Sequence, residues 1–177
     1  MDKKRKTLQE PLTIRGMELK NRICVGPMGN ATVAGEGGIV SNAMLEHFRA
    51  VAQGGSALII QGSTSVTNEK RAHVTQTGIW SDRHIEGLAR ISEIAHAEDS
   101  KIILQLEHAG IRSLAEEPFA PSPFTVEGKV CHVMTSEDIR NVQQEYVDAA
   151  RRAVEAGYDG IELHASHGWL INAFLSP

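Results

Sequence analysis

The sequence predicts an α/β protein of the (β/α)₈ TIM-barrel type with only about the first four βα units present, a half-barrel. Three observations lead there. Short apolar runs of strand length alternate with segments of helical apolar spacing, in the order β-α-β-α-β-α-β. The runs are apolar on both faces, as in parallel strands covered by helices. Polar side chains gather just after each run, where barrels keep their chemistry.

The elements follow in order. KNRICVGPM (20–28) is an apolar run closed by Gly26-Pro27, a strand and then a turn. Ser41 is an N-cap candidate; Met44, Leu45, Phe48, Val51 and Ala52 follow at helical spacing, and Gly54-Gly55 closes the helix. SALII (56–60) has buried-strand length and runs into the polar QGSTS. Trp80 and Ser81-Asp82 precede a second helix with Ile85, Leu88, Ala89, Ser92 and Ala95 on its inner face. KIILQL (101–106) is the third strand, leading into EHAGIRS. Pro118, Pro121 and Pro123 mark the next segment as loop almost throughout. Thr135 and Asp138 resemble a capping box, with Asp for the usual Glu. The longest helix runs from there to Gly157, burying Ile139, Val142, Tyr146, Ala149, Ala150, Ala153 and Val154, and YDGIELH (158–164) makes the fourth strand. AVAQGGSALII (50–60) and AVEAGYDGIEL (153–163) share one pattern of helix end, glycine and strand, as a repeated βα unit would.

An open doubly wound sheet is the rival architecture. It usually carries GxGxxG directly after its first strand. Here that turn is GPMGNATVAGEGG, which has glycines but neither the motif nor an immediate helix. The barrel pattern is present: Met28-Gly29-Asn30, Gln61-Gly62-Ser63-Thr64, Gln105 with Glu107 and His108, and His164 with His167 all stand at strand ends. Eight strands need about 250 residues, and this chain of 177 shows four strands.

Bulk properties narrow the function classes. A net charge of −4 gives no sign of a nucleic-acid partner. The one basic run, Lys3 to Lys6, reads as part of a disordered, solvated head over residues 1–11. Thr7, Gln9, Glu10 and Pro11 follow it, so no signal peptide is expected, and no apolar run has membrane-spanning length. Cys24 and Cys131 lack CxxC or CxH partners, so both read as reduced and structural, with the cytoplasm as the expected setting.

His164 and His167 are the sharpest candidate residues. If the chain turns at the strand end, the two imidazoles converge and can hold an oxygen that gains negative charge. One capping and one exposed histidine is the plain alternative. A metal site is another, but it needs a third ligand, and the H-x-H pattern on one strand is absent. Gln105 lies within an apolar strand, where an amide needs partners. It can pair with a neighbouring strand end, or face a ligand with alternating donors and acceptors such as a flavin pyrimidine edge. Pro27-Met28-Gly29 is either a tight turn or a backbone platform against a flat ring.

LKNRICVGPM, LIIQGSTSV, ILQLEHAG and MTSEDIRNVQQEYVDAARRAVEAGYDGIELHASHGWLINAFLSP, in this order, closely resemble the Old Yellow Enzyme family of FMN-dependent ene-reductases and NADH:flavin oxidoreductases. The resemblance spans about Leu12 to Pro177. It implies a barrel with FMN at the strand C-termini, reduced by NAD(P)H and passing hydride to an activated alkene. It also implies that Pro27, Met28 and Gly29 meet the flavin through backbone, Ser63 sits beside the ring and Gln105 bonds its pyrimidine edge. His164 and His167 match the pair that holds the substrate carbonyl oxygen.

Three departures stand out. Trp169 replaces the tyrosine that usually follows HxxHG as proton donor, so solvent or another group must supply that proton. Gly29 stands where threonine or cysteine often tunes the flavin. The family's remaining four βα units, with its phosphate-binding loops, lie beyond this sequence. The expectation is therefore residues 12–177 as the N-terminal half of an FMN-binding barrel: a truncated form with weak or absent FMN binding and little activity. A non-catalytic half-barrel that homodimerises through its unpaired sheet edges is the alternative. The resemblance implies a small-molecule partner and no membrane.

Overall fold

The structure is a computed structural model and describes residues 7–29 and 33–176. The basic run at 3–6 and Asn30 lie outside the described residues. From Thr7 the chain is held by turns, with Arg22 N donating to the Leu8 carbonyl at 2.8 Å.

An antiparallel hairpin of β1 (Leu12–Ile14) and β2 (Met17–Leu19) comes first. β3 (Cys24–Val25), α1 (Asn42–Gln53), β4 (Leu58–Ser65), α2 (Ile85–His96) and β5 (Lys101–Glu107) follow. A two-residue strand, β6 (Phe119–Ala120), then leads to β7 (Thr125–Val126), β8 (Lys129–Val130) and β9 (His132–Val133). α3 (Ser136–Glu155), β10 (Gly160–Leu163) and α4 (Leu170–Leu175) complete the chain.

The main sheet has the order β10-β5-β4-β3, parallel throughout. Successive strands always add to the same edge. A doubly wound sheet would reverse its order at a switch point, so this winding is that of a barrel. α1, α2 and α3 cover the outer face, and one core joins them to the sheet. Ile59, Ile102, Leu104 and Leu106 meet Met44, Phe48, Leu88 and Ile91 there. Each such large side chain contributes about 1.5–3 kcal/mol by leaving water. Ala149 and Ala153, both fully buried, let α3 approach the sheet closely.

Local signals fix the helix ends. Ser41 Oγ accepts from Met44 N at 3.3 Å, and Thr135 with Asp138 forms a reciprocal capping box. The repeat is real in three dimensions. Gly55 and Gly157 follow the caps of α1 and α3 with φ of 83° and 79°, and each strand begins three residues later, at Leu58 and Gly160. At both positions a left-handed backbone favours glycine.

Val154, expected on the buried face of α3, is 72% exposed, because it stands one position past Ala153 at the edge of the buried stripe in the last turn. The β1–β2 hairpin is one that no apolar run announces. Two further features differ from the sequence expectation. The proline-bearing segment contains the four short strands β6 to β9, paired β6 with β9 and β7 with β8. Glu127 and Gly128, both at positive φ, turn the β7–β8 hairpin. Two-residue strands leave no periodicity to read. Second, β10 is not covered on both faces: Ile161 and Leu163 are 42% and 52% exposed on its outer side. They share a face with Leu104 and Leu106 in register, and α3 covers them only in part. Beside them α3, Leu163 and α4 frame an apolar groove of about 520 Å³, lined by Val142, Tyr146, Leu170 and Phe174.

Candidate active site

The rim at the strand C-termini is built by register. β5 and β10 pair Gln105 with Glu162, so both side chains point into the barrel interior. The Gln105 amide Nε2 donates to Glu162 Oε1 at 2.6 Å, a charge-assisted bond between neighbouring strand ends. β4 shifts register between Gln61 and Thr64, which takes Gly62 and Ser63 off the ladder. Gly62 is a steric requirement. A Cβ there would strike Pro27 and lie 2.7 Å from Gln105 Oε1. Gly29 lies against Ser63, where an added Cβ would stand 3.4 Å from the Ser63 hydroxyl. Pro27, Gly29, Ser63 and Gln105 thus share one wall.

A buried polar network backs that wall. Gln76 Nε2 donates to Glu107 Oε1 at 2.9 Å and to Ser63 Oγ at 3.2 Å, while its Oε1 accepts from Ala72 N at 2.9 Å. Glu107 is 1% exposed, and its Oε2 has no hydrogen-bond partner among the described residues.

The histidine edge follows β10. His164 N donates to the Leu106 carbonyl at 3.0 Å, which extends the ladder. His167 and Gly168 then adopt φ of 60° and 77°, turning the chain back at the strand end. The two imidazoles converge as a result, with ring centroids 5.2 Å apart at 83°. Trp169 Nε1 donates to His164 Nε2 at 2.9 Å, and Ser166 Oγ lies 3.3 Å from His164 Nδ1. Burial holds the His164 imidazole below its ordinary pKa; the Glu107 and Glu162 carboxylates oppose that shift, and His167 adds to it.

These residues enclose a cavity of about 430 Å³ lined by Pro27, Gly29, Ser63, Gln105, His164, His167 and Trp169. Seven of the eight site residues expected from the sequence are therefore together. The Met28 side chain is 55% exposed and borders a neighbouring narrow pocket with Met44 and His47, whereas the expectation for Met28 concerns its backbone. His108 also leaves the cavity; it is buried and stacks on Phe119 at 5.8 Å and 3°. Ala72, His73, Gln76, Glu107, Glu162 and Ser166 line the cavity without having been singled out as site residues. Period-two alternation links Glu162 to His164 and Glu107 to Gln105, so these two were within reach of the sequence. Gln76 sits on a loop with no periodic signal. Among the described residues no three His, Cys, Asp or Glu side chains converge to hold a metal ion.

Fold and rim together define half of a (β/α)₈ barrel with a polar cavity at its strand ends. The profile of the NADH:flavin oxidoreductase / NADH oxidase family matches residues 7–177, and the chain belongs to that family. It is 42% identical over 173 residues to the NADPH dehydrogenase of Geobacillus sp. (strain WCH70), covering 96% of this chain and 51% of that protein. It is 41% identical over 170 residues to the NADPH dehydrogenase of Bacillus subtilis (strain 168), covering 94% and 50%. Among solved structures, the Old Yellow Enzyme of Pichia sp. AKU4542 superposes with a TM-score of 0.89 at 26% identity, over 96% of this chain and 48% of that one. Morphinone reductase in complex with tetrahydroNAD gives a TM-score of 0.88 at 26% identity, over 97% and 53%. The chain thus spans about half the length of the relatives it matches. No helix among the described residues is long and apolar enough to cross a membrane.

Proposed function

We propose that this chain carries the ring-binding wall and the carbonyl-holding edge of an FMN-dependent NAD(P)H oxidoreductase that reduces activated alkenes. The observation that carries the proposal is the single 430 Å³ cavity joining Gln105, Ser63 and the glycine-lined wall to the His164–His167 pair. The wall fits a flat ring. Only glycine at position 62 lets Pro27 and the Gln105 amide close up, and Gly29 places no side chain over the same surface. The backbone of Pro27, Met28 and Gly29, the Ser63 hydroxyl and the Gln105 amide would hold the isoalloxazine. Bound FMN, reduced by NAD(P)H, supplies the hydride that reaches the alkene β-carbon. The relatives named NADPH dehydrogenase support NADPH as the reductant.

The protein's own part is electrostatic. His164 and His167 hold the substrate carbonyl oxygen through N–H groups, polarise the alkene and stabilise the negative charge that grows on that oxygen. Trp169 has no acidic proton at working pH, so solvent delivers the proton to the α-carbon. The two cysteines are unpaired, which supports a reducing cytoplasmic setting. Residues 12–177 act as one half-barrel unit.

Phosphate sites in such barrels follow the seventh and eighth strands, beyond the four strands of this chain. The isolated 177-residue chain therefore binds FMN weakly and turns over slowly. Anaerobic assay with FMN, NADPH and a cyclic enone tests this. A chain that purifies yellow with one tightly held FMN and rapid turnover contradicts the proposed weakness. A chain with no affinity for flavin contradicts the site.

The apolar groove beside Leu163 favours a second reading, a homodimer in which two half-barrels cover each other's open edges. Light scattering tests it, and a monomer at all concentrations rules it out.

A further inference from the structure

We infer that Trp169 is a positioning residue that fixes His164 as the neutral tautomer protonated at Nδ1. The inference rests on the proposed role of His164 as an oxygen-holding donor and says how that donor is set. The indole N–H can only donate, and it lies 2.9 Å from His164 Nε2. Nε2 must then offer its lone pair, which leaves the ring proton on Nδ1. Nδ1 faces Ser166 Oγ at 3.3 Å, a long contact that an incoming oxygen displaces easily. Ser166, His164 and Trp169 all line the cavity, so the Nδ1–H group is the one available to a ligand.

The backbone on either side of the indole is held in place. Gly168 N donates to Asn172 Oδ1 at 2.8 Å, and Leu170 N donates to the His108 carbonyl at 3.1 Å. Gly110 permits that approach, since a Cβ there would lie 2.9 Å from Leu170 Cα. The Arg112 guanidinium stands 5.7 Å from the Trp169 ring.

Charge around His164 is divided, which gives Trp169 its leverage. Glu107 on β5 and Glu162 on β10 draw a proton toward the imidazole, while His167 and burial resist it. Protonation at Nε2 would set one N–H against another and forfeit the indole bond. Trp169 thus keeps His164 a neutral hydrogen-bond donor rather than an acid. Where a phenol would give a proton away, the indole instead sets the tautomer of its neighbour.

Long-range ¹H–¹⁵N correlation spectra of the ¹⁵N-labelled full chain, recorded from about pH 5 to 8, test this. His164 signals are assigned by their loss in His164→Gln. The expected wild-type spectrum shows neutral His164 with Nδ1 protonated and Nε2 as acceptor. Trp169→Phe keeps a smaller aromatic ring and removes the N–H. It should mix the tautomers and raise the His164 pKa by about one unit, tenfold in proton affinity. A wild-type ring protonated at Nε2 would overturn the inference, as would Trp169→Phe with an unchanged tautomer and pKa. The wild-type assignment decides the matter even if the variant misfolds. No flavin enters the measurement, so a failure here is separable from a failure of the flavin site.

Discussion

Gln105 and Glu162 face each other across the β5–β10 ladder, and the Gln105 amide donates to the Glu162 carboxylate at 2.6 Å. This bond orients the amide: its N–H₂ end is anchored to the strand end, and its carbonyl is packed beside Gly62. Gln105→Leu retains most of the volume and removes both polar atoms. Flavin affinity should fall about tenfold, the loss of roughly one well-placed hydrogen bond. Quenching of flavin fluorescence in a titration measures it, and an unchanged dissociation constant would remove Gln105 from the ring-binding wall.

Gly62→Ala should destabilise the fold and close the wall. The new methyl would meet the Pro27 ring and stand 2.7 Å from Gln105 Oε1. Pro27 cannot rotate away, so the strain falls on backbone, at about 1–3 kcal/mol. Urea denaturation should show a lower midpoint with an unchanged slope.

Stability should depend on pH through His108. Burial, with Lys70 adding to it, pushes this imidazole down to about 4 from its ordinary 6.5. Between those values the unfolded chain takes up a proton that the folded chain refuses. Stability is therefore fully present above about pH 6.5 and is lost progressively as the pH falls to about 4, by on the order of 3 kcal/mol. His108→Gln should flatten that slope in denaturation midpoints measured across the window. An identical slope in the variant would assign the dependence to other groups.

The open outer face of β10 should make the chain self-associate. Leu163 is 52% exposed and borders the apolar groove under α4. Leu163→Asp should shift sedimentation toward the monomer without lowering the unfolding free energy by more than about 0.5 kcal/mol. A wild type that is monomeric at every concentration would show that the groove drives no association.

Much of this was legible in the sequence because local signals agree with the global fold. Ser41, Gly55, Thr135 and Gly157 mark helix ends by chemistry that acts within a few residues. The runs at 56–60 and 101–106 are apolar enough to be strands under any packing. His164 and His167 stand three apart at a strand end, and their convergence needs only a turn, which His167 and Gly168 supply with positive φ. What escaped depends on contacts distant in sequence. Gln76 joins the site by bonding Glu107, 31 positions away. The bond from the Trp169 indole to His164 has no signal in the sequence, since it exists only once the turn is made.

The most direct test of the central claim is a comparison of FMN with riboflavin binding to the same purified chain. A wall that grips the ring without phosphate loops should bind both weakly and within about twofold of each other, a difference of roughly 0.4 kcal/mol. A preference for FMN of tenfold or more would place a phosphate site within these 177 residues, and binding of neither flavin would contradict the ring-binding wall itself.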